Sequence, residues 1–298
     1  MAQSAPKPAI RIHGGRLVNG EDEPVTGTDG GEAAASRGAH QSFDTSVAHV
    51  ARVYDYWLGG KDNFAVDRAA GDQAIAAYPH IVLSVRANRA FLARAVRYLA
   101  KEAGIRQFLD IGTGIPAANN THEVAQAEAP DTRVVYVDND PTVLAHARAL
   151  LTSGPAGVTD YIDADLRDTD KILQAAARTL DFSQPIAIML MAIVHLIGDE
   201  DDPYGIVAKL VDAVPSGSYL AMSHIASDMT PAISDAGTRV SQFIRQEQTY
   251  RSHAEVLRFF DGLELVDPGL TRIQEWRPNS ELESKSPAVL WGGVGRKP

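Results

Sequence analysis

The stretch Gln107-Phe-Leu-Asp-Ile-Gly-Thr-Gly-Ile-Pro116, followed by a helical run from Asn120 to Glu128 and by Arg133-Val-Val-Tyr-Val-Asp-Asn-Asp140, decides the fold. It reads as a buried strand, a glycine turn, a capped helix and a second strand that ends in acid. That is half of a nucleoside-binding Rossmann-type crevice. Asp110 stands two residues ahead of the first glycine, at the carboxyl end of the strand. A dinucleotide fold needs backbone N–H groups and a helix dipole there to hold a pyrophosphate, and a fixed carboxylate repels one. Pro116, four residues after Gly112, has no N–H to donate and weakens an anion cradle further.

The electrostatics therefore favour a ligand that carries an ammonium or a sulfonium. S-adenosylmethionine has both, attached to a nucleoside, and has no phosphate. Gly112 and Gly114 let the backbone turn tightly and let a ligand approach without a Cβ in the way, although a plain strand-to-helix turn uses the same residues. Asp138 lies at the end of the second strand, where an acid accepts both ribose hydroxyls. Asp140 competes for that role, but Pro141 behind it suits an N-cap better. Asn139 is expected at the adenine or ribose edge.

After the third strand comes Ile162-Asp-Ala-Asp-Leu-Arg-Asp168. Asp165, just beyond the strand, is expected at the adenine amino group, with the N–H of Leu166 reaching a ring nitrogen. Asp163 and Asp168 suit a surface position and a cap. The fourth strand is apolar throughout, as a central parallel strand should be, and runs into Met191-Ala-Ile-Val-His195. Met191 is expected to floor the site under the transferred methyl, and His195 is the candidate general base. A packed, satisfied histidine is an equally good reading of His195, because methyl displacement mainly needs in-line positioning and exclusion of water. His224, after the fifth strand, is a second candidate for the acceptor pocket. His122 has no partner at metal-ligand spacing, so no metal site is expected.

The 298 residues suffice for one large α/β domain. A net charge of −10 argues against chain-wide attraction to nucleic acid or anionic membrane. The absence of cysteine excludes disulfides, thiolate metal sites and cysteine nucleophiles. The longest apolar run, 186–194, is far short of the ~20 residues that span a bilayer. The first residues lack a basic start followed by an apolar core, so a cytoplasmic protein is expected, acting on a small molecule.

Residues 1–42 are rich in Gly, Ala, Glu, Asp and Pro and read as a disordered tail. Residues 43–104 read as an N-terminal helical lid of three helices: one from a Ser46 N-cap to Gly59-Gly60, one from after Asp62-Asn63 to Tyr78-Pro79, and a strongly periodic one through Phe91, Leu92, Ala95, Val96 and Leu99. Residues 105–298 read as the core. Strands are expected near 107–111, 133–138, 158–163, 186–191, 218–223, 263–266 and 288–294, the last two joined by a polar loop with no helical pattern. Asn120 with Glu123, Asp140-Pro141 and Asp202-Pro203 mark helix starts. Within the cap, residues 51–68 crowd aromatics, a glycine pair and charges together. Tyr54, Gly59, Gly60, Asp62, Asn63 and, further on, Arg89 are candidates for a lid that closes over the ligand on a Gly59-Gly60 hinge. Simple packing of Tyr54, Trp57 and Phe64 on the sheet is the alternative.

Ala51-Arg-Val-Tyr-Asp-Tyr-Trp-Leu-Gly-Gly-Lys-Asp-Asn-Phe64, Arg86-Ala-Asn-Arg-Ala-Phe-Leu92, Phe108-Leu-Asp-Ile-Gly-Thr-Gly-Ile-Pro116, Val135-Tyr-Val-Asp-Asn-Asp-Pro141 and Asp267-Pro-Gly269 resemble the bacterial S-adenosyl methyltransferase family over roughly residues 43–298. The resemblance implies a Rossmann-like class I methyltransferase fold, a seven-stranded mostly parallel sheet with an antiparallel last strand, and binding of S-adenosylmethionine at Asp110, Gly112, Gly114, Asp138 and Asp165. Pro116 stands where the wider class often has a third glycine. Two other readings stay open at this point. One is an NAD-dependent oxidoreductase, since Gly112-Thr-Gly-Ile-Pro-Ala117 fits a relaxed dinucleotide pattern. The other is a non-catalytic protein that senses the cofactor. The sequence assigns neither the acceptor nor the oligomeric state.

Overall fold

The computed structural model of the chain describes residues 45–150 and 154–298, and the tail expected over residues 1–42 lies outside them. The strands are β1 (Gln107–Ile111), β2 (Arg133–Asp138), β3 (Val158–Asp163), β4 (Ala187–Met191), β5 (Tyr219–Ile225), β6 (Glu264–Leu265), β7 (Thr271–Arg272) and β8 (Leu290–Arg296). They form one sheet in the order β3-β2-β1-β4-β5-β8-β6, with β7 also paired to β8. β1 to β5 run parallel, and β8 is antiparallel to β5, β6 and β7. The chain leaves β1 in one direction for β2 and β3 and in the other for β4 and β5. The switch between β1 and β4 opens a crevice at the carboxyl ends of the strands.

The helices are α1 (Val50–Leu58), α2 (Ala65–Ala77), α3 (Ile81–Lys101), α4 (Thr121–Glu128), α5 (Pro141–Leu150), α6 (Thr169–Ala176), α7 (Pro203–Asp212), α8 (Pro231–Ile244), α9 (His253–Leu257) and α10 (Glu281–Ser284). Side chains alternate across each strand, and both faces are covered. Phe108, Val134, Tyr136, Ala187 and Met189 pack with Phe91, Val96 and Leu99 of α3 and with Trp276. Leu109, Val135, Val137, Ile188 and Leu190 pack on the other face with Ile172 of α6, Val207 and Leu210 of α7 and Phe259. This double coverage is why the central strands read as unbroken apolar runs.

Among the described residues the sheet has eight strands, one more than expected. The addition is the two-residue β7, too short to show a periodicity. The loop after β6, expected without helix, also holds a 3₁₀ turn at Ile273–Glu275 and α10. Arg94 of α3 pins this segment. Its Nε donates to the Trp276 carbonyl at 2.9 Å, its Nη2 to that of Ile273 at 2.6 Å, and it is ion-paired with Glu283. Phe91 meets Trp276 edge to face at 5.5 Å.

The expected 43–104 cap divides into parts with different surroundings. α3 is a full member of the sheet-covering layer, whereas α1 and α2 pack through Val53, Ala70, Ala74 and Tyr78 against Ile233, Ala236 and Val240 of α8. α1 starts at Val50 with His49 as its N-cap, not at Ser46. His49 is held there by its own N–H to Asp67 Oδ1 (2.9 Å) and by its imidazole against Asp140 (2.9 Å). Gly59, at φ +83°, closes the helix in the left-handed conformation that glycine adopts without a Cβ penalty.

Candidate cofactor site and acceptor cavity

At the switch point the loops after β1 and β4 nearly touch. Gly112 has φ +77°, and a Cβ built on it would lie 2.5 Å from Cγ1 of Ile193, so the close approach needs glycine. Four N–H groups of this turn are bonded within the protein. Those of Gly112 and Thr113 donate to the Val137 carbonyl at 2.8 and 3.3 Å, that of Gly114 to Asp138 Oδ2 at 2.8 Å, and that of Ala117 to Asn120 Oδ1 at 3.1 Å. Pro116 has none. A pyrophosphate cradle needs these donors turned outward, and here those of Gly112, Thr113 and Gly114 hold the loop to β2 while that of Ala117 is taken by the N-cap of α4.

A cavity opens over the turn, and most sequence-nominated residues line it. Asp110, Gly112, Gly114, Asp138, Asn139, Asp165, Leu166 and Met191 line it from the strand ends and the loops after them, and Tyr54 and Arg89 line it from α1 and α3. Val50, Ala51 and Leu58 of α1 line it too. Gly59, Gly60, Asp62 and Asn63 are not in the lining. Asp62 N–H and Asn63 Nδ2 instead donate to Asp55 Oδ2 at 3.0 and 2.8 Å, closing the turn after α1. Gly60 makes room for that carboxylate, since a Cβ there would collide with Asp55 Oδ1.

Asp110 is buried at 4% exposure, and its Oδ2 accepts from Thr121 Oγ1 at 2.6 Å. Oδ1 has no bond to the described residues. Burial raises its pKa from 3.8 to about 6, against the opposing pull of Thr121 and the Arg89 charge. Asp138 is also raised by burial, opposed by its bonds from the N–H groups of Asp140 (2.9 Å) and Gly114. For Asp140 burial acts in the same upward direction, but the His49 imidazole and the Thr142 N–H outweigh it and take the carboxyl down to about 2. Its bond to Thr142 N–H, at 2.8 Å, is the N-cap expected of the Asp140-Pro141 pair. Asp165 accepts from Asn139 Nδ2 at 2.9 Å and from Arg167 N–H at 2.9 Å, and Arg167 bridges onward to Asp201 at 2.7 Å. Arg89 Nη2 donates to the carbonyls of Ala118 and Asn119 at 2.9 and 3.1 Å, while its Nε is buried without a partner.

His195 lines a second cavity, not the first. The two share Val50, Tyr54, Asn88 and Ala192 as a common wall. His195 is buried, and burial, then the neighbouring His224 and Arg251, lower its pKa to about 3. It is therefore a neutral imidazole and a weaker base than an ordinary histidine. His224, the other nominated histidine, lines neither cavity. Its Nδ1 contacts the Ile225 carbonyl at 2.9 Å and its Nε2 the Arg251 guanidinium at 3.1 Å, an arrangement that makes Nδ1 the donor and Nε2 the acceptor. His122 is likewise structural, at 2.8 Å from Tyr136 Oη. Sequence reading missed the segment 246–251. It has no periodicity, but it folds back so that Thr249 N–H donates to the His195 carbonyl at 2.7 Å, Gln248 and Tyr250 line the second cavity, and Arg251 reaches Asp199 at 2.6 Å.

Sheet order, crevice and the inward-facing glycine amides define a Rossmann-like α/β protein of the class I methyltransferase type. Residues 36–298 match the model of the S-adenosyl methyltransferase family, and the chain belongs to that family. It is similar to a crystal structure of a DUF574 family protein from Streptomyces avermitilis MA-4680, with 46% identity over 86% of this chain and 99% of that one and a TM-score of 0.82. It is also similar to a Thermobifida fusca YX protein provisionally assigned as a methyltransferase, with 41% identity over 85% and 96% of the two chains and a TM-score of 0.79. No curated protein matches. The chain is thus an S-adenosylmethionine-dependent methyltransferase, and the oxidoreductase reading falls. Among the described residues no helix is long and apolar enough to cross a membrane.

Proposed function

We propose that this methyltransferase acts on a small molecule in the cytoplasm, holding the donor in the first cavity and the acceptor in the second. The bound donor supplies a methyl group on a cationic sulfur. Asp110 Oδ1 accepts from the α-ammonium, and the charge of the Arg89 guanidinium, whose residue also lines the cavity, attracts the carboxylate of the same methionine moiety. Asp138 accepts from the ribose hydroxyls while continuing to hold the glycine turn, since each carboxylate oxygen has a second lone pair. Asn139, Asp165 and the N–H of Leu166 take the adenine, and Met191 floors the methyl position. The net charge of −10 supports a small-molecule acceptor over nucleic acid.

The carrying observation is the glycine turn, whose donors are bonded inward while two carboxyl groups line the cavity above it. That suits a zwitterion joined to a nucleoside and opposes a diphosphate. α1 serves as the lid, turning on Gly59-Gly60. Slower amide exchange in residues 50–58 with S-adenosylhomocysteine bound is expected, and unchanged exchange would remove the lid. For the site, Asp138→Ala should weaken S-adenosylhomocysteine by about 1–3 kcal/mol in calorimetry. Unchanged affinity would remove the ribose assignment, and a silent methyl-transfer screen with tight S-adenosylhomocysteine binding would favour a cofactor-sensing protein.

A further inference from the structure

The second cavity has a composition that narrows its occupant. Among the described residues no Asp, Glu, Lys or Arg lines it, and most of its wall is aliphatic, including Val85, Ile233, Val240 and Leu290. Tyr54, Trp57 and Tyr250 add aromatic surface. An ammonium would find no carboxylate there and would sit within the field of Arg251, whose charge already depresses the neighbouring His195. A carboxylate or phosphate would find no cation in the lining. An ionic acceptor would lose its water with nothing to replace it, so the cavity selects a neutral molecule.

The polar groups of the wall are mostly committed. Asn88 Nδ2 donates to Tyr54 Oη at 3.1 Å, Asn88 Oδ1 accepts from Ser223 Oγ at 2.6 Å, and Tyr250 Oη donates to Gln248 Oε1 at 2.7 Å. His195 and Ser84 are different: His195 is 4% exposed, its Nδ1 and the Ser84 Oγ are buried without a partner among the described residues, and no hydrogen bond joins either ring nitrogen of His195 to those residues. A buried imidazole with an unused lone pair costs free energy until something donates to it. Val50, Tyr54, Asn88 and Ala192 line both cavities, so the compartment that holds this imidazole shares a wall with the donor cavity.

We propose that the acceptor is a neutral aromatic molecule whose ring hydroxyl donates to His195. The inference rests on the reading of the first cavity as the donor site. In the transfer, the hydroxyl oxygen forms its bond to the methyl carbon as the carbon–sulfur bond breaks, the electron pair of that bond stays with sulfur as a neutral thioether, and the hydroxyl proton passes to His195 and then to solvent. Even a weakly basic imidazole suffices, because an oxygen that has gained a methyl group holds its proton far less tightly than a free hydroxyl. The Arg251 charge assists by favouring the anionic form of the oxygen.

The test uses the full chain loaded with S-adenosylhomocysteine at pH 7.5. Calorimetry compares 2-naphthol with 2-methoxynaphthalene, 2-naphthoate and 2-(aminomethyl)naphthalene, which lack the hydroxyl or carry a charge. Wild type should bind 2-naphthol about tenfold tighter than each of the others. In His195→Phe the 2-naphthol preference over the methyl ether should vanish while S-adenosylhomocysteine affinity is kept, a difference that a purely structural histidine would not produce. Supplied with S-adenosylmethionine, wild type should convert 2-naphthol to 2-methoxynaphthalene. A charged probe binding as well as 2-naphthol, a preference that survives His195→Phe, or no methylated product overturns the proposal. If the variant does not fold, the wild-type comparisons decide alone. Loss of S-adenosylhomocysteine binding in wild type would instead overturn the donor site, which separates the two failures.

Discussion

Asp110 ties cofactor affinity, pH and stability together, and the consequence is measurable. In the free protein its carboxyl has a pKa of about 6, raised chiefly by burial. An α-ammonium needs the ionised form, so the ligand must displace a proton below pH 6. For one such group the apparent dissociation constant grows by the factor 1 + 10^(pKa − pH). S-adenosylhomocysteine should therefore bind roughly tenfold more weakly at pH 5 than at pH 7.5, releasing close to one proton at the lower pH. Calorimetry in buffers of different ionisation enthalpy reads both quantities. Asp110→Asn should lower affinity at pH 7.5 by about 1.5–3 kcal/mol and abolish the pH dependence. The same raised pKa destabilises the free fold above pH 6. A carboxyl whose folded pKa exceeds its unfolded value contributes fully below the unfolded 3.8 and loses that contribution as pH rises through about 6, here up to about 3 kcal/mol. Asp110→Asn should thus raise the melting temperature at pH 7.5 while it weakens the ligand, a stability cost carried for function. A variant that binds with the wild-type pH profile would refute the reasoning.

Three further outcomes follow from the geometry. His195, lowered to about 3, and His224, lowered to about 4, are each depressed mainly by burial, so their contribution is present above the unfolded pKa of 6.5 and is lost as pH falls toward those values. Acid unfolding should set in below pH 6.5 and shift to lower pH in His195→Phe; an unshifted transition would contradict their neutral burial. Gly112→Ala places a Cβ against Ile193 at positive φ, whereas Gly114→Ala, at φ +67°, meets nothing within 4 Å. The first should cost about 2–3 kcal/mol and the second about 1, read from denaturant midpoints, and equal costs would count against the close approach. Arg94→Met leaves the carbonyls of Trp276 and Ile273 without their donor and Glu283 without its partner, so a loss of about 3–5 kcal/mol in urea unfolding is expected. A change under 1 kcal/mol would show that the 273–283 segment is held by Trp276 packing alone.

The strand and helix order was readable because each signal was local. Phe108 and Leu109 alternate between two covered faces, Asn120 and Glu123 cap α4 through a 2.7 Å bond, and Asp202 caps α7 by accepting from Gly205 N–H at 3.0 Å. β7 escaped notice because two residues have no period. The start of α1 moved from Ser46 to His49 because partners distant in sequence, Asp67 and Asp140, hold His49 in place. Among the nominated site residues, those at strand ends came together in one cavity. Gly59, Gly60, Asp62 and Asn63 went instead to a turn around Asp55, a local bonding scheme that residue types alone do not distinguish from a ligand site.

By itself the sequence determined the parallel sheet, the glycine turn and the acids that border it, because connection rules and strand periodicity place a residue at a strand end wherever the rest of the chain lies. Only the tertiary structure decided that His195 belongs to a second compartment, that segment 246–251 borders it, and that Asp110 gives up its proton less readily than a free carboxyl. Those properties depend on burial and on neighbours far away in the chain, and burial is what sets the cost of a charge.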